Sequence, residues 1–164
     1  MTNDPKGEPP VSEWQGLGGG ILVSIVFIVS LIDWRGGVTL ILINRLATLL
    51  TFAVLVLISG SLLVLSFKAL SLEVALGRRS DLVTAGIYTY LRHPHYLSNM
   101  LLSFSLAFLF NSGVGLVVAF CAVPVSYLLT RSEEGYLKRK FGAAYIEYTA
   151  RTPMYIPRIR KRPE

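Results

Sequence analysis

The chain has 164 residues, of which 52% are hydrophobic and only 16% are charged. Ordinary soluble domains carry about 25% charged residues, so this composition excludes a typical soluble enzyme and predicts an integral membrane protein. The net charge of +6 does not require nucleic acid as a partner, because most basic residues flank apolar segments, where they set membrane orientation, and the single cysteine excludes a disulfide within the chain.

The first elements are a leader and two apolar segments. Residues 1–14 contain three prolines and are predicted to be a disordered leader to a single domain, residues 15–164. Uncharged runs of 18 residues at Gln15–Ile32 and 22 residues at Leu46–Phe67 are each long enough for a membrane span. The leader is acidic, so the first span is not expected to be a cleaved signal peptide. Gly16–Gly20 follows no strand, so it is not expected to bind a nucleotide.

The third and fourth spans are predicted from one long apolar run. Tyr96–Thr130 contains 35 residues without a charge. As one helix this run would measure about 52 Å, against a hydrocarbon layer of about 30 Å. Asn111-Ser112-Gly113 is a typical turn sequence, so a helical hairpin with arms of 15 and 17 residues is expected. The predicted fold class is all-α, a polytopic membrane protein with about four transmembrane helices and a C-terminal helical hairpin.

The basic residues predict the orientation of these spans. With four spans both termini lie on one side of the membrane, and that side holds all of the Lys and Arg residues except Arg35 and Arg45. The positive-inside rule places this basic side in the cytoplasm. Both termini are therefore expected in the cytoplasm, at the plasma membrane if the source is a prokaryote.

The segment after the hairpin, Arg131–Glu164, is predicted to contain one amphipathic helix. Its apolar face would consist of Leu137, Phe141, Tyr145 and Tyr148, which fall within about 80° on a helical wheel. Pro153 and Pro157 are expected to end this helix and to leave an extended tail. Together with the segment that precedes the third span, it forms the cytoplasmic part of the protein.

The hairpin brings two polar clusters, 40 positions apart in the sequence, to one membrane surface. Pro94 suits the first position of a helix, with His93 as its N-cap. The backbone N–H groups of residues 95–97 at this helix start would attract a carboxylate. Glu133 and Glu134 would attract an ammonium group or ribose hydroxyls. This arrangement suits a zwitterionic, amino-acid-like ligand, and S-adenosylmethionine is such a ligand.

Simpler roles remain open for the same residues. His93 could serve only as a helix cap, and His95 could lie at the wet membrane interface. Glu133 and Glu134 could be solvated charges that balance nearby basic residues at the end of a span. The spacing of these residues does not decide between these roles and a ligand site.

Two sequence motifs lie in order within about residues 70–157. The first is LVTAGIYTYLRHPHYL, residues 82–97, and the second is EE-x2-L-x3-FG-x2-Y-x2-Y, residues 133–148, followed by Arg151-Thr152-Pro153 and Ile156-Pro157. This combination resembles the isoprenylcysteine carboxyl methyltransferase family and its phospholipid methyltransferase relatives. The resemblance implies an integral membrane enzyme that uses S-adenosylmethionine without a Rossmann domain and needs no metal. Its methyl acceptor would be lipidic or a small apolar molecule, with carboxyl methylation favoured.

The resemblance also implies roles for individual residues. It assigns the cofactor to Asp81, Leu82, Val83, Tyr88, His93, Pro94, His95, Tyr96, Glu133 and Glu134, and it favours Glu133 within the acidic pair. A family arginine just before the acidic pair is assigned to the substrate, and Arg131 is its nearest counterpart, although it lies two residues closer to the pair. Arg151 is the next candidate for the acceptor.

Two other functions remain possible on this resemblance. Membrane sterol reductases resemble the C-terminal half of the family, so a reductase that uses NADPH is one alternative. A non-catalytic membrane module on the same scaffold is the other. Its one hint is Ser98, which stands where the family usually has glycine and would narrow the cofactor or substrate path.

Overall fold

The computed structural model describes residues 11–37, 44–70 and 82–157. In these residues the regular elements are helices: α1 (Val11–Gly36), α2 (Arg45–Ala69), a 3₁₀ helix (Gly86–Thr89), α3 (Pro94–Phe110), α4 (Gly113–Phe141) and α5 (Ala143–Arg151). The predicted all-α class is confirmed for this part of the chain. The leader residues 1–10, the loop 38–43, the tail 158–164 and the candidate contact Asp81 lie outside the described residues.

Three of the described helices are long and apolar enough to cross a membrane, namely Leu17–Gly36 of α1, all of α2 and all of α4. Helix α3 has 17 residues and would measure about 25 Å, which is shorter than a hydrocarbon layer of about 30 Å. The predicted count of four spans therefore stays a prediction. Helix α1 begins at Val11, so the last four residues of the predicted leader are helical.

The hairpin between α3 and α4 turns where the sequence predicts it. Asn111 ends α3 in the left-handed conformation, with φ of 53°, which asparagine tolerates better than most residues. Ser112 is the N-cap of α4, and its hydroxyl accepts a hydrogen bond from the Gly115 amide at 2.8 Å. The same hydroxyl donates to Asp33 Oδ2 at 2.5 Å, which joins the end of α1 to the start of α4.

Helix α3 lies at the centre of the bundle, in contact with α1, α2 and α4. Small residues allow the close approaches: a Cβ atom at Gly19 would lie 2.2 Å from Asn99 Nδ2, and one at Gly115 would lie 2.1 Å from Ser30 Oγ. Close backbone approach at small residues is the usual way in which membrane helices associate. Close helix packing, rather than helix propensity, therefore explains why glycine occupies these two positions.

Ser98 joins α3 to α2, so its side chain serves helix packing. Its hydroxyl donates to the Ser59 carbonyl at 2.9 Å, and the Ser59 hydroxyl donates to the Ser98 carbonyl at 3.0 Å. Both side chains are buried between the two helices. The one hint of a non-catalytic module is thereby removed.

The segment after the hairpin differs from the prediction of one amphipathic helix. Helix α4 continues past the apolar run to Phe141, and the chain then breaks at Gly142, whose φ of 54° and ψ of −127° favour glycine. Tyr145 and Tyr148 belong to the separate helix α5. The predicted single face is wrong because a helical wheel assumes a continuous helix and the glycine interrupts it. Helix α5 ends at Arg151, before Pro153, as expected.

Candidate functional site

The start of α3 has the predicted geometry. Pro94 occupies the first turn, and His93 is the N-cap residue, with non-helical φ of −129° and ψ of 58°. The His93 side chain makes no capping hydrogen bond, so the N-cap position alone does not explain why histidine stands there. The prediction that the Leu97 amide is free to bind an anion is wrong. This amide donates to the His93 carbonyl as the first hydrogen bond of the helix.

The acidic pair is buried beside His93 instead of being solvated. The side chains of Glu133 and Glu134 are 9% and 3% exposed. His93 Nδ1 lies 3.8 Å from Glu133 Oε1, and His93 Nε2 lies 3.4 Å from Glu134 Oε1. The Tyr96 phenol lies close enough to the Glu133 carboxylate to interact with its charge. The predicted meeting of the two motifs across the hairpin is therefore present in the structure.

Arg92 is a member of this group that the sequence did not single out. Its Nη2 lies 2.7 Å from Glu134 Oε1, its Nη1 donates to the Thr149 carbonyl at 3.2 Å, and its amide donates to the Pro153 carbonyl at 2.9 Å. The guanidinium thus contacts α4 and α5 from the segment before α3. We call Arg92, His93, Tyr96, Glu133 and Glu134 the charged cluster.

The segment after α5 runs along the charged cluster. The amide of His93 donates to the Met154 carbonyl at 3.2 Å, next to the bond from the Arg92 amide to Pro153. Tyr155 follows: its hydroxyl lies 2.5 Å from Thr130 Oγ1, and its ring lies 6.4 Å from the His93 ring, centroid to centroid. The Tyr96 ring also lies near His93, with 5.9 Å between the two ring centroids. Tyr155 was missed because nothing in its local sequence predicts this contact.

Further tyrosines close the site from the side of the 3₁₀ helix and α5. Tyr88 lies near Ser66 on α2, and its carbonyl accepts a hydrogen bond from the Tyr148 hydroxyl at 2.7 Å. Burial and, to a smaller extent, the negative charge of Glu133 raise the pKa of Tyr88 to about 12. Burial also raises the pKa of Tyr148 and of Tyr155. These phenols therefore stay neutral at physiological pH and can act as hydrogen-bond donors.

Several buried polar atoms in this region make no hydrogen bond. Among the residues that the structure describes, these atoms at the site are Arg92 Nε, His93 Nε2, Glu133 Oε2, Glu134 Oε1 and the Tyr145 hydroxyl. Native structures contain few such atoms, and a concentration of them requires an explanation. Glu134 Oε1 has Arg92 as an ionic partner, whereas Glu133 Oε2 has neither kind of partner among the contacts of the described residues. Glu133 is therefore the carboxylate with an oxygen available to a ligand.

The remaining predicted residues do not belong to the charged cluster. Leu82 and Val83 are half-buried ahead of the 3₁₀ helix. His95 is half-buried and packs its ring against Phe67 of α2, with 6.1 Å between centroids. The Arg131 side chain is 55% exposed, with Nη1 3.6 Å from Glu134 Oε2.

Arg151, the second candidate for the acceptor, is not in the charged cluster. Its side chain is 73% exposed and forms an ion pair with Glu147 one turn earlier on α5. In the described ranges no group of three His, Cys, Asp or Glu side chains is placed to hold a metal ion. The groups that the structure brings together at the site are carboxylates, phenols, one imidazole and two guanidinium groups.

Comparison with known proteins finds methyltransferases among the relatives of this chain. Protein-S-isoprenylcysteine O-methyltransferase B of Arabidopsis thaliana is 35% identical over 78 residues, which cover 46% of this chain and 39% of that protein. Protein-S-isoprenylcysteine O-methyltransferase of Schizosaccharomyces pombe is 34% identical over 104 residues, which cover 61% of this chain and 44% of that protein. The chain spans less than half the length of these two relatives.

A family model extends the comparison over most of the described structure. The model is that of phospholipid methyltransferases, and it matches residues 36–144. This range contains α2, α3, α4 and the whole charged cluster. With its three helices long and apolar enough to cross a membrane, this membrane protein belongs to the phospholipid methyltransferase family.

Proposed function

We propose that this protein is an S-adenosylmethionine-dependent methyltransferase of the membrane, acting on a lipidic or small apolar acceptor. The observation that carries the proposal is the carboxylate of Glu133. This group of α4 is buried beside the start of α3, and one of its oxygens makes no hydrogen bond. The membership of the phospholipid methyltransferase family supports methyl transfer as the reaction. The names of the relatives, both O-methyltransferases, favour carboxyl methylation.

The donor set fits the polar part of S-adenosylmethionine. Glu133 Oε2 offers an acceptor for an ammonium or a ribose hydroxyl, and the amides of the first turn of α3 offer donors for a carboxylate. The Tyr88 phenol lies close enough to Glu133 for that charge to raise its pKa, so it adds a neutral donor on the same side. Leu82, Val83 and His95 would complete the binding surface, as the family resemblance implies.

When bound, the cofactor supplies a methyl group already activated on a sulfonium, so the protein has to align the reactants and exclude water. The tyrosine rings beside His93 and the segment after α5 enclose the site on several sides. An acceptor carboxylate needs no general base. An amine or thiol acceptor must lose one proton, for which His93, Tyr96 and the glutamates of the acidic pair are groups of suitable chemistry.

Arg131 is the proposed acceptor contact. It lies at the first charged position after the apolar run, where a lipidic acceptor would bring its polar end to the surface. Its guanidinium is half-exposed and is only 3.6 Å from Glu134, so it is close to the charged cluster and still accessible. A bidentate arginine would hold an acceptor carboxylate in line for displacement.

The proposal is tested by measuring the binding of S-adenosylmethionine to purified, detergent-solubilised protein by calorimetry. Replacing Glu133→Gln removes a charge-assisted hydrogen bond of about 1.5–3 kcal/mol, so we expect affinity to fall about ten- to a hundredfold. Glu147→Gln is the matched control, because Glu147 is 64% exposed on α5 and pairs only with Arg151 among the described residues.

Equal affinities of the Glu133→Gln and Glu147→Gln proteins would reject the role of Glu133. Binding of NADPH in place of S-adenosylmethionine would instead favour the reductase. Binding of neither compound by the folded wild-type protein would favour a non-catalytic module.

A further inference from the structure

The two adjacent glutamates of the charged cluster have different surroundings, although the sequence presents them as one acidic pair. Glu134 has cations near both oxygens: Arg92 Nη2 at 2.7 Å from Oε1, and Arg131 Nη1 at 3.6 Å from Oε2. Glu133 Oε1 lies 3.8 Å from His93 Nδ1, and the Tyr96 phenol lies near the same carboxylate. Glu133 Oε2 makes no hydrogen bond. One carboxylate is therefore occupied within the protein, while the other keeps an oxygen for a ligand.

Arg92 connects the occupied carboxylate to three separate parts of the chain. Beyond its ion pair with Glu134 on α4, it donates to Thr149 on α5 and, through its amide, to Pro153. The next residue along the chain is His93, whose amide is bonded to Met154. An arginine can make these contacts at once because its planar group presents several donors in fixed directions.

We propose that the acidic pair is divided in function: Glu133 binds the ligand, whereas Arg92 and Glu134 are positioning residues that fix His93 and Glu133 relative to each other. The ion pair joins the segment before α3 to α4, which are the two elements that carry the ligand groups. Both side chains are nearly buried, 11% exposed for Arg92 and 3% for Glu134, so the pair is shielded from water. The proposal rests on the proposed function, since the ligand of Glu133 is S-adenosylmethionine.

Breaking a buried ion pair leaves one uncompensated charge, whereas replacing both partners with apolar residues of similar size is often neutral. We therefore expect Arg92→Met and Glu134→Leu, each alone, to lower the melting temperature by about 5 °C or more. Each is also expected to weaken S-adenosylmethionine binding about tenfold or more, since the ligand groups lose their alignment. The paired replacement is expected to restore the melting temperature and to recover most of the affinity.

The recovery of affinity in the paired variant is the decisive result. If Glu134 itself contacts the cofactor, the paired variant regains stability but not affinity, and the division is overturned. The control pair is Arg92→Met with Glu133→Gln, for which we expect the two losses of affinity to add without rescue. Rescue in this control pair would assign the positioning role to Glu133 instead.

Arg92→Lys keeps the positive charge and serves if the methionine variant does not fold. We expect it to retain a near-native melting temperature and to lose several-fold in affinity, because lysine cannot contact Glu134 and Thr149 together. Unchanged affinity in this folded variant would overturn the role of Arg92. The thermal measurements need no cofactor, so a wild-type protein that fails to bind S-adenosylmethionine rejects the proposed function and leaves the Arg92–Glu134 coupling measurable.

Discussion

The helix bundle and the charged cluster both bury polar side chains, but they do so in different ways. Between α2 and α3 the polar groups are small and neutral and form short pairs, such as Ser59 with Ser98. In the charged cluster the groups are ionisable, they contact several elements, and some of their atoms make no hydrogen bond. The neutral pairs between α2 and α3 hold helices together, whereas the ionisable groups of the charged cluster keep unpaired atoms at which a ligand can contribute.

The bundle and the charged cluster are compared on the assumption that the hairpin turn and the cluster lie on opposite sides of the membrane. Labelling of the turn from one side of the membrane gives an all-or-none answer. We expect a cysteine at Val114, which is 37% exposed in the first turn of α4, to react with an impermeant maleimide from outside the cell only. Ser112 is fully buried and is less suitable for labelling. The exposed Cys121 is first replaced by alanine. Labelling of position 114 from the cytosol alone would contradict the hairpin orientation.

The largest energetic effect is expected inside the bundle, at Gly115. A Cβ atom there would lie 2.1 Å from the Oγ of Ser30, which is fully buried. Overpacking of this kind costs about 1–3 kcal/mol, and we expect Gly115→Val to reach the upper part of this range in thermal unfolding. Gly20→Val is the control, because a Cβ at Gly20 has no neighbouring atom within 4 Å. Equal destabilisation of both variants would show that close packing is not the reason for Gly115.

A smaller effect is expected at the edge of the charged cluster, where Arg131 faces outward. Arg131→Lys keeps a charge that can anchor the span but loses the bidentate contact, so we expect turnover to fall about tenfold, equivalent to about 1.4 kcal/mol. Cofactor affinity is expected to stay at its wild-type value. Arg139→Lys, at an exposed position in the last turn of α4, is the control. Full turnover of the Arg131→Lys enzyme would leave that residue as a membrane anchor.

The smallest effect is expected for a single polar pair within the bundle. Ser98→Ala removes a hydrogen bond between α2 and α3, and such bonds contribute about 0.6 kcal/mol on average in membrane proteins. Ser105→Ala is the control, because the Ser105 hydroxyl donates to Leu102 of its own helix. Cofactor affinity is expected to be unchanged in both variants. A large change in affinity for Ser98→Ala would return this residue to the ligand path.

The sequence predicts the hairpin well because its signals are local. An apolar run too long for one span, a turn sequence at Asn111-Ser112-Gly113, and proline at the first position of α3 each act through neighbouring residues. The meeting of His93 with the acidic pair then follows from the hairpin alone. The break at Gly142 was missed because a glycine within an amphipathic pattern gives no indication of its φ.

The tertiary contacts of the site could not be predicted in the same way. Arg92 lies 42 positions before Glu134, and in the sequence it is simply one basic residue near the end of a span. Tyr155 reaches Thr130 only because the segment after α5 returns along the charged cluster. Such contacts depend on the course of the whole chain, so no local pattern distinguishes these residues from their neighbours.

Helix α4 is a single helix of 29 residues, Gly113–Phe141, about 43 Å long, with Pro124 inside it. Its first turn is held by Ser112 and Asp33, and Glu133 and Glu134 lie more than five turns further along. A change in the tilt of α4, or in its bend at Pro124, would therefore move the acidic pair relative to the start of α3. Since a long membrane helix can accommodate a thinner bilayer by tilting, we expect the affinity of the site for its ligand to vary with the lipid composition around the protein.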